Sequence, residues 1–114
     1  MNCKRNLPSY GRWQKRFAKK DLTIIGVHTP ETEAEKVAAN VVREAKRLGI
    51  TYPILLDQKG VNWNRWEQQW WPTVYLIDKQ GHARYRWSGE LEYEHAGGEE
   101  TMARLAEELL KEKY

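Results

Sequence analysis

The sequence holds one cysteine, Cys3, in 114 residues. One thiol excludes a disulfide within the chain and any four-cysteine zinc centre. No apolar run approaches the roughly 20 residues that cross a bilayer, so no membrane span is predicted. The first residues lack the apolar core of a secretory signal. His28, His82 and His95 lack metal-ligand spacing, and no metal site is predicted. There is no glycine-rich phosphate loop; Gly97-Gly98 reads as a connection before a helix, and no cofactor is predicted. No repeat or low-complexity linker interrupts the chain, so residues 1–114 read as one domain. The net charge of +3 is a mild excess that does not imply nucleic acid.

Aromatic residues are present in force, with 6 Trp and 6 Tyr against 1 Phe. Trp63, Trp66, Trp70 and Trp71 crowd one stretch. Such rings bury much area, so a small domain can build its core from few of them, with one or two left to line a surface. Charge is unevenly placed. Lys4, Arg5, Arg12, Lys15, Arg16, Lys19 and Lys20 open the chain with no acid among them, and acids gather between Glu90 and Glu112. Leu7, Tyr10, Trp13, Gln14 and Phe17 form an apolar stripe at helical spacing, which predicts a solvated amphipathic helix over 6–19. Pro8 fits only its first turn.

The remaining pattern alternates strands and helices. Residues 22–27 and 53–57 are short apolar runs that predict parallel strands buried on both faces. Thr32 and Glu35 form a capping box opening a helix over 32–48. Its buried face is Ala34, Val37, Ala38, Val41, Ala45 and Leu48, and Gly49 is its C-terminal cap. Residues 61–68 predict one or two helical turns. Residues 73–78 and 82–87 predict a hairpin across Lys79-Gln80-Gly81, with Ala83, Tyr85 and Trp87 on one side and Arg84 and Arg86 on the other. Met102, Leu105, Ala106, Leu109 and Leu110 mark a last helix over 99–113. Asp57, Glu67 and Asp78 read as turn or surface acids. The order α-β-α-β-α-β-β-α predicts a layered α/β fold. A strand buried on both faces needs ladder partners on both edges. The run over 22–27 finds one partner, at 54–56, and no evident second.

Asn2-Cys3 with Lys4-Arg5-Asn6-Leu7-Pro8 resembles the second half of a C-x-N-C redox motif and the helix that it opens. Ile25-Gly26-Val27-His28-Thr29-Pro30-Glu31, Gly49-Ile50-Thr51-Tyr52-Pro53, Trp71-Pro72-Thr73 and Ile77-Asp78 through Gly81 follow in the order of the same family. The set resembles the redoxin branch of thioredoxin-like proteins, of the TlpA and DipZ C-terminal-domain type, over nearly the whole chain. The resemblance implies a mixed central sheet flanked by helices and the chemistry of thiol–disulfide exchange without an organic cofactor. A cysteine at a helix N-terminus is biased toward thiolate and attacks a disulfide; a second cysteine one turn along resolves the product. Cys3 matches the resolving cysteine. Pro72 matches a proline held in cis opposite the pair. Trp70, Trp71 and Thr73 fall on the substrate-binding surface around it.

The departure from the family pattern is equally plain. The attacking cysteine belongs three residues before Cys3, a position that precedes Met1. The strand that delivers the cysteine pair, central between those matching 22–27 and 73–78, has no counterpart either. The resemblance therefore implies a domain incomplete at its N-terminus. At about 25 cal/mol per Å², the burial lost with that strand is worth several kcal/mol, against about 5–15 kcal/mol for a whole domain. The expected function is a thiol–disulfide oxidoreductase domain, impaired or reduced to one-cysteine chemistry in this form. The alternative is a non-catalytic thioredoxin-fold module that binds a peptide or partner. Expected partners are protein or peptide thiols and disulfides, and a second copy sharing a strand, with no nucleic acid. The resemblance points to a periplasmic or exported setting, although this chain has no signal.

Overall fold

The computed structural model describes residues 5–30, 32–68 and 72–113. Eight regular elements follow the expected order: α1 (Leu7–Arg16), β1 (Gly26–His28), α2 (Ala38–Arg47), β2 (Ile54–Leu56), α3 (Val61–Arg65), β3 (Thr73–Ile77), β4 (Ala83–Ser88) and α4 (Gly98–Leu110). Short 3-10 turns occupy Ala34–Lys36 and Tyr93–His95. The result is a mixed α/β fold. Two compact units divide it: Met1–Leu22 with Trp70–Tyr114, and Thr23–Gln69.

The first unit holds α1, the hairpin and α4. Pro8 sits in the first turn of α1, where its missing N–H costs nothing. The helix stops at Arg16, with Phe17 as its C-cap, and does not reach Lys19. Residues 17–20 instead close turns, with the Lys20 N–H donating to the Phe17 carbonyl at 2.9 Å. β3 and β4 pair antiparallel from Thr73↔Ser88 to Leu76↔Tyr85, and an irregularity then brings Ile77 opposite Ala83. Gly81, at φ +86°, takes the left-handed place in the turn. Asp78 organises that turn by accepting the N–H groups of Gln80 at 3.0 Å and His82 at 2.8 Å. Tyr85 and Trp87 are half-buried and Arg84 and Arg86 exposed, as the alternation requires, but Ala83, at the irregular end of the ladder, is exposed. The core is Trp13, Phe17, Leu91, Met102, Ala103, Ala106 and Leu109. Leu105 and Leu110, expected on the buried face of the last helix, are only half-buried.

The second unit departs more from expectation. β1 and β2 pair in parallel, Gly26↔Ile54 to His28↔Leu56, and are three residues each. Pro53 explains where the ladder starts. Its carbonyl accepts the Gly26 N–H at 2.9 Å, but it has no N–H to extend the pairing toward residues 22–25. Burial on both faces is not observed. Val27 and Leu55, opposite each other, are 48% and 54% exposed, and Ile25 is 62% exposed. A strand is covered twice only when elements lie over both faces. Here α2 lies over one, where Val41, Ala45, Ile50, Ile54 and Leu56 line an open hollow of about 320 Å³.

The helix expected over 32–48 is two pieces. The Thr32–Glu35 box forms, with the Glu35 N–H donating to Thr32 Oγ1 at 3.3 Å, but it closes only one 3-10 turn. Val37 is then extended (φ −87°, ψ 113°), α2 begins at Ala38, and Val37 is half-exposed and not part of a buried face. Ala38 is exposed as well. The far end matches expectation. Gly49 (φ +72°) reverses the chain, its N–H donates to Lys46 and the Ile50 N–H donates to Ala45 at 2.9 Å.

Candidate functional site

Cys3, Trp70 and Trp71 lie outside the described residues. Pro72, Thr73 and the chain from Arg5 onward, which follows Cys3, lie within them. α1 follows Cys3, and α1, Pro72 and Thr73 belong to one compact unit.

Residues 87–91 tie these parts together. Pro72 is buried, and its carbonyl accepts the N–H of Gly89 at 2.7 Å. Thr73 opens β3 in register with Ser88. Gly89 stands at φ +91°, a conformation that glycine adopts without a Cβ penalty. The chain then turns toward α1. Glu90 pairs with Arg5 at 3.3 Å, and its carbonyl accepts the indole N–H of Trp87 at 3.2 Å. Leu91 is wholly buried, and its N–H donates to Asn6 Oδ1 at 2.9 Å. Without that acceptor a buried N–H would stand unpaired, a loss of about 1–3 kcal/mol. Pro72 and Asn6 are thus held by donors only two residues apart, Gly89 and Leu91.

Asn6 has a second property. It is the N-cap residue of α1, and asparagine there ordinarily accepts an N–H of its own helix. It makes no such bond. Its oxygen is committed to Leu91, and its Nδ2 donates to the Tyr10 hydroxyl at 3.1 Å. The first turn of α1 also contains no acid. Residues 5–6 lead into α1 as a helical turn, and Asn6 itself has helical backbone angles (φ −84°, ψ −14°).

A second set of contacts fixes α1 against α4. The Glu99 carboxylate accepts Ser9 Oγ at 2.7 Å and both Nε and Nη2 of Arg12, and the Glu99 carbonyl accepts the Trp13 indole N–H. Arg12 holds the Glu99 carboxyl below its ordinary value; partial burial opposes this and Ser9 adds to it. Arg16 continues the series to Glu100 and Glu107. Three arginines of the basic opening, Arg5, Arg12 and Arg16, thus meet acids of the 90–112 stretch.

In the other unit, Asp57 is buried, at 7% exposure. Its carboxylate accepts Thr29 Oγ1 and the N–H groups of Asn62 and Trp63, all at 2.9–3.0 Å. Burial pushes its pKa up, but these donors outweigh it and the net displacement is downward. Asp57 is a capping acid for α3, whereas Glu67 is exposed.

A model of the AhpC/TSA family matches residues 1–86. The chain belongs to the AhpC/TSA family. This assignment covers both Cys3 and Pro72. Among relatives, protein DipZ of Mycobacterium bovis is 42% identical over 93 residues, which are 82% of this chain and 13% of DipZ. Thiol-disulfide oxidoreductase ResA of Geobacillus thermodenitrificans is 30% identical over 69% of this chain and 42% of its own length. The chain therefore spans only a minor part of these relatives' own length. A solved thioredoxin-like protein in its oxidised form superposes with a TM-score of 0.79 at 22% identity, over 100% of this chain and 72% of that one. That likeness carries the fold, which is thioredoxin-like.

Sequence reasoning missed Asn6, Glu99 and the 87–91 segment. Asn6 carried a signal, since asparagine directly before a helix is a preferred cap. Its diversion to Leu91 depends on a partner 85 residues away and left no local mark.

Proposed function

We propose that these 114 residues act as one redoxin domain in thiol–disulfide exchange, with Cys3 as the reacting thiol and Pro72 beside the substrate. The observation that carries this reading is the family match over residues 1–86, which includes both positions. The thioredoxin-like fold and the tie of Asn6 and Pro72 to one segment support it.

The Cys3 thiolate attacks one sulfur of a substrate disulfide. The substrate S–S bond breaks, a Cys3–substrate S–S bond forms, and the other substrate sulfur leaves as a thiolate that takes a proton from water. A single thiol stops at the mixed disulfide, because no second thiol in these residues resolves it. The domain is accordingly impaired in turnover as it stands. Trp70, Trp71 and Thr73 flank Pro72 as the substrate surface. The substrates are protein or peptide thiols and disulfides, in an exported or periplasmic setting. Among the described residues, no helix is long and apolar enough to cross a membrane.

One observation favours a second reading, a non-catalytic binding module: the sequence has one cysteine where the cycle uses two. Insulin reduction with dithiothreitol separates the two. The exchange reading expects weak turnover that disappears in Cys3→Ser. No turnover above background, with retained binding of an extended peptide, supports the module.

A further inference from the structure

We infer that the cavity at the carboxyl ends of β1 and β2 binds a short acidic peptide, with Lys36 and Lys59 on its carboxylates and the Gln58 amide on its backbone. The site lies wholly in the Thr23–Gln69 unit and does not involve Cys3. β1 and β2 run parallel, so both end at the same edge of their sheet. The Asp57 N–H donates to the His28 carbonyl at 2.8 Å and closes the ladder there. Ligands of open α/β sheets bind outside such strand ends. Here the two loops leave a cavity of about 390 Å³, lined by Thr29, Pro30, Lys36, Gln58, Lys59 and Gly60. Its walls are fixed. Thr29 Oγ1 donates to the buried Asp57 carboxylate at 2.9 Å, and the Gly60 N–H donates to the Asp57 carbonyl at 3.1 Å.

The remaining polar groups of the wall are uncommitted or loosely held. Both ends of the Gln58 amide, Nε2 and Oε1, are buried and have no hydrogen-bond partner. A buried amide without partners is rare in folded proteins and calls for an explanation. A peptide bond offers one donor and one acceptor and satisfies both ends. Lys59 is exposed and pairs with no acid among the described residues. The Lys36 ammonium meets Glu33 at 3.0 Å in a pair exposed on both sides, which holds it weakly. Asp57 competes for neither lysine, because Thr29, Asn62 and Trp63 already fill its carboxylate. A bare carboxylate would answer the lysines, but it only accepts and would leave Gln58 Oε1 unpaired. Carboxylates on a peptide answer both.

The test titrates the isotope-labelled 114-residue chain with acetyl-Glu-Glu-amide and follows its amide NMR spectrum, the Gln58 side-chain NH2 included. Saturable shifts are expected at residues 29, 36 and 58–60 and in that NH2. Lys36→Gln and Lys59→Gln together weaken binding about tenfold, and Gln58→Met weakens it about threefold or more, with circular dichroism as a check on folding. Both lysines are exposed, so their substitution keeps the fold and decides the matter even if Gln58→Met unfolds. Acetyl-Gln-Gln-amide, which keeps the amides and loses the charge, and glutarate, which keeps the charge and loses the amides, both bind more weakly. A neutral peptide that binds as tightly overturns the role of the lysines. Glutarate that binds as tightly overturns a peptide as the ligand. Shifts that do not saturate, or that lie away from these residues, overturn the site itself.

Discussion

Gly98 shows how a residue with no side chain holds the site together. A Cβ there would lie 2.6 Å from the Leu91 carbonyl oxygen and 2.8 Å from the Trp87 ring. Both obstacles are fixed: one is backbone, and the other is an indole hydrogen-bonded to Glu90. Alanine gains about 1 kcal/mol of helix propensity over glycine. Overpacking against rigid neighbours costs about 1–3 kcal/mol, and here the clash prevails. Gly98→Ala is therefore expected to lower the unfolding free energy in urea by about 1–2 kcal/mol. A neutral or stabilised variant would mean that α4 starts farther from Leu91 than described. In the sequence, Gly97-Gly98 was legible only as a connection. Periodicity reports which face of a helix is apolar, but not how closely another backbone approaches its first turn.

Among elements, β1, β2 and α3 depend on one acid. Asp57 ends β2, receives Thr29 from beyond β1 and caps α3. Losing this cap in Asp57→Ala costs about 1 kcal/mol. The pH dependence follows from the direction of the shift. The folded-state pKa of Asp57 is depressed, so its contribution is complete above the ordinary carboxylate value of about 4 and is lost as pH falls through the lower folded value. The stability gap between parent and Asp57→Ala should be constant from pH 5 to 8 and narrow below about pH 4. Thermal unfolding across that range checks this, and a gap that widens in acid contradicts it. The sequence read these elements unevenly. The order of all eight and the hairpin were legible, because turn chemistry at Gly81 and Gly49 is local. The extent of β1 was not. An apolar run over 22–27 shows which residues can be buried, but the covering element and the partner strand decide which are. Here Pro53 ends the partner's ladder and α2 covers one face.

Across the first unit, one electrostatic pattern joins distant parts of the chain. Arg5, Arg12 and Arg16 meet Glu90, Glu99, Glu100 and Glu107. Exposed pairs of this kind contribute about 0–1 kcal/mol each, so their main effect is to fix which face of α1 meets α4. The sequence showed the two charge blocks but not their meeting. It read the basic face as solvated, since nothing local specifies a partner some 85–91 residues on. The candidate site was legible in part. Cys3 and Pro72 came from family resemblance, and the family match spans both. The segment that holds Asn6 and Pro72 became visible only in the fold.

The central claim, that this chain reacts with disulfides through Cys3, is tested most directly by incubating the reduced 114-residue protein with glutathione disulfide and following intact mass with time. The account predicts a single glutathione adduct on Cys3, formed faster at pH 7 than on free cysteine and absent in Cys3→Ser. No adduct, or one formed no faster than on free cysteine, would contradict it.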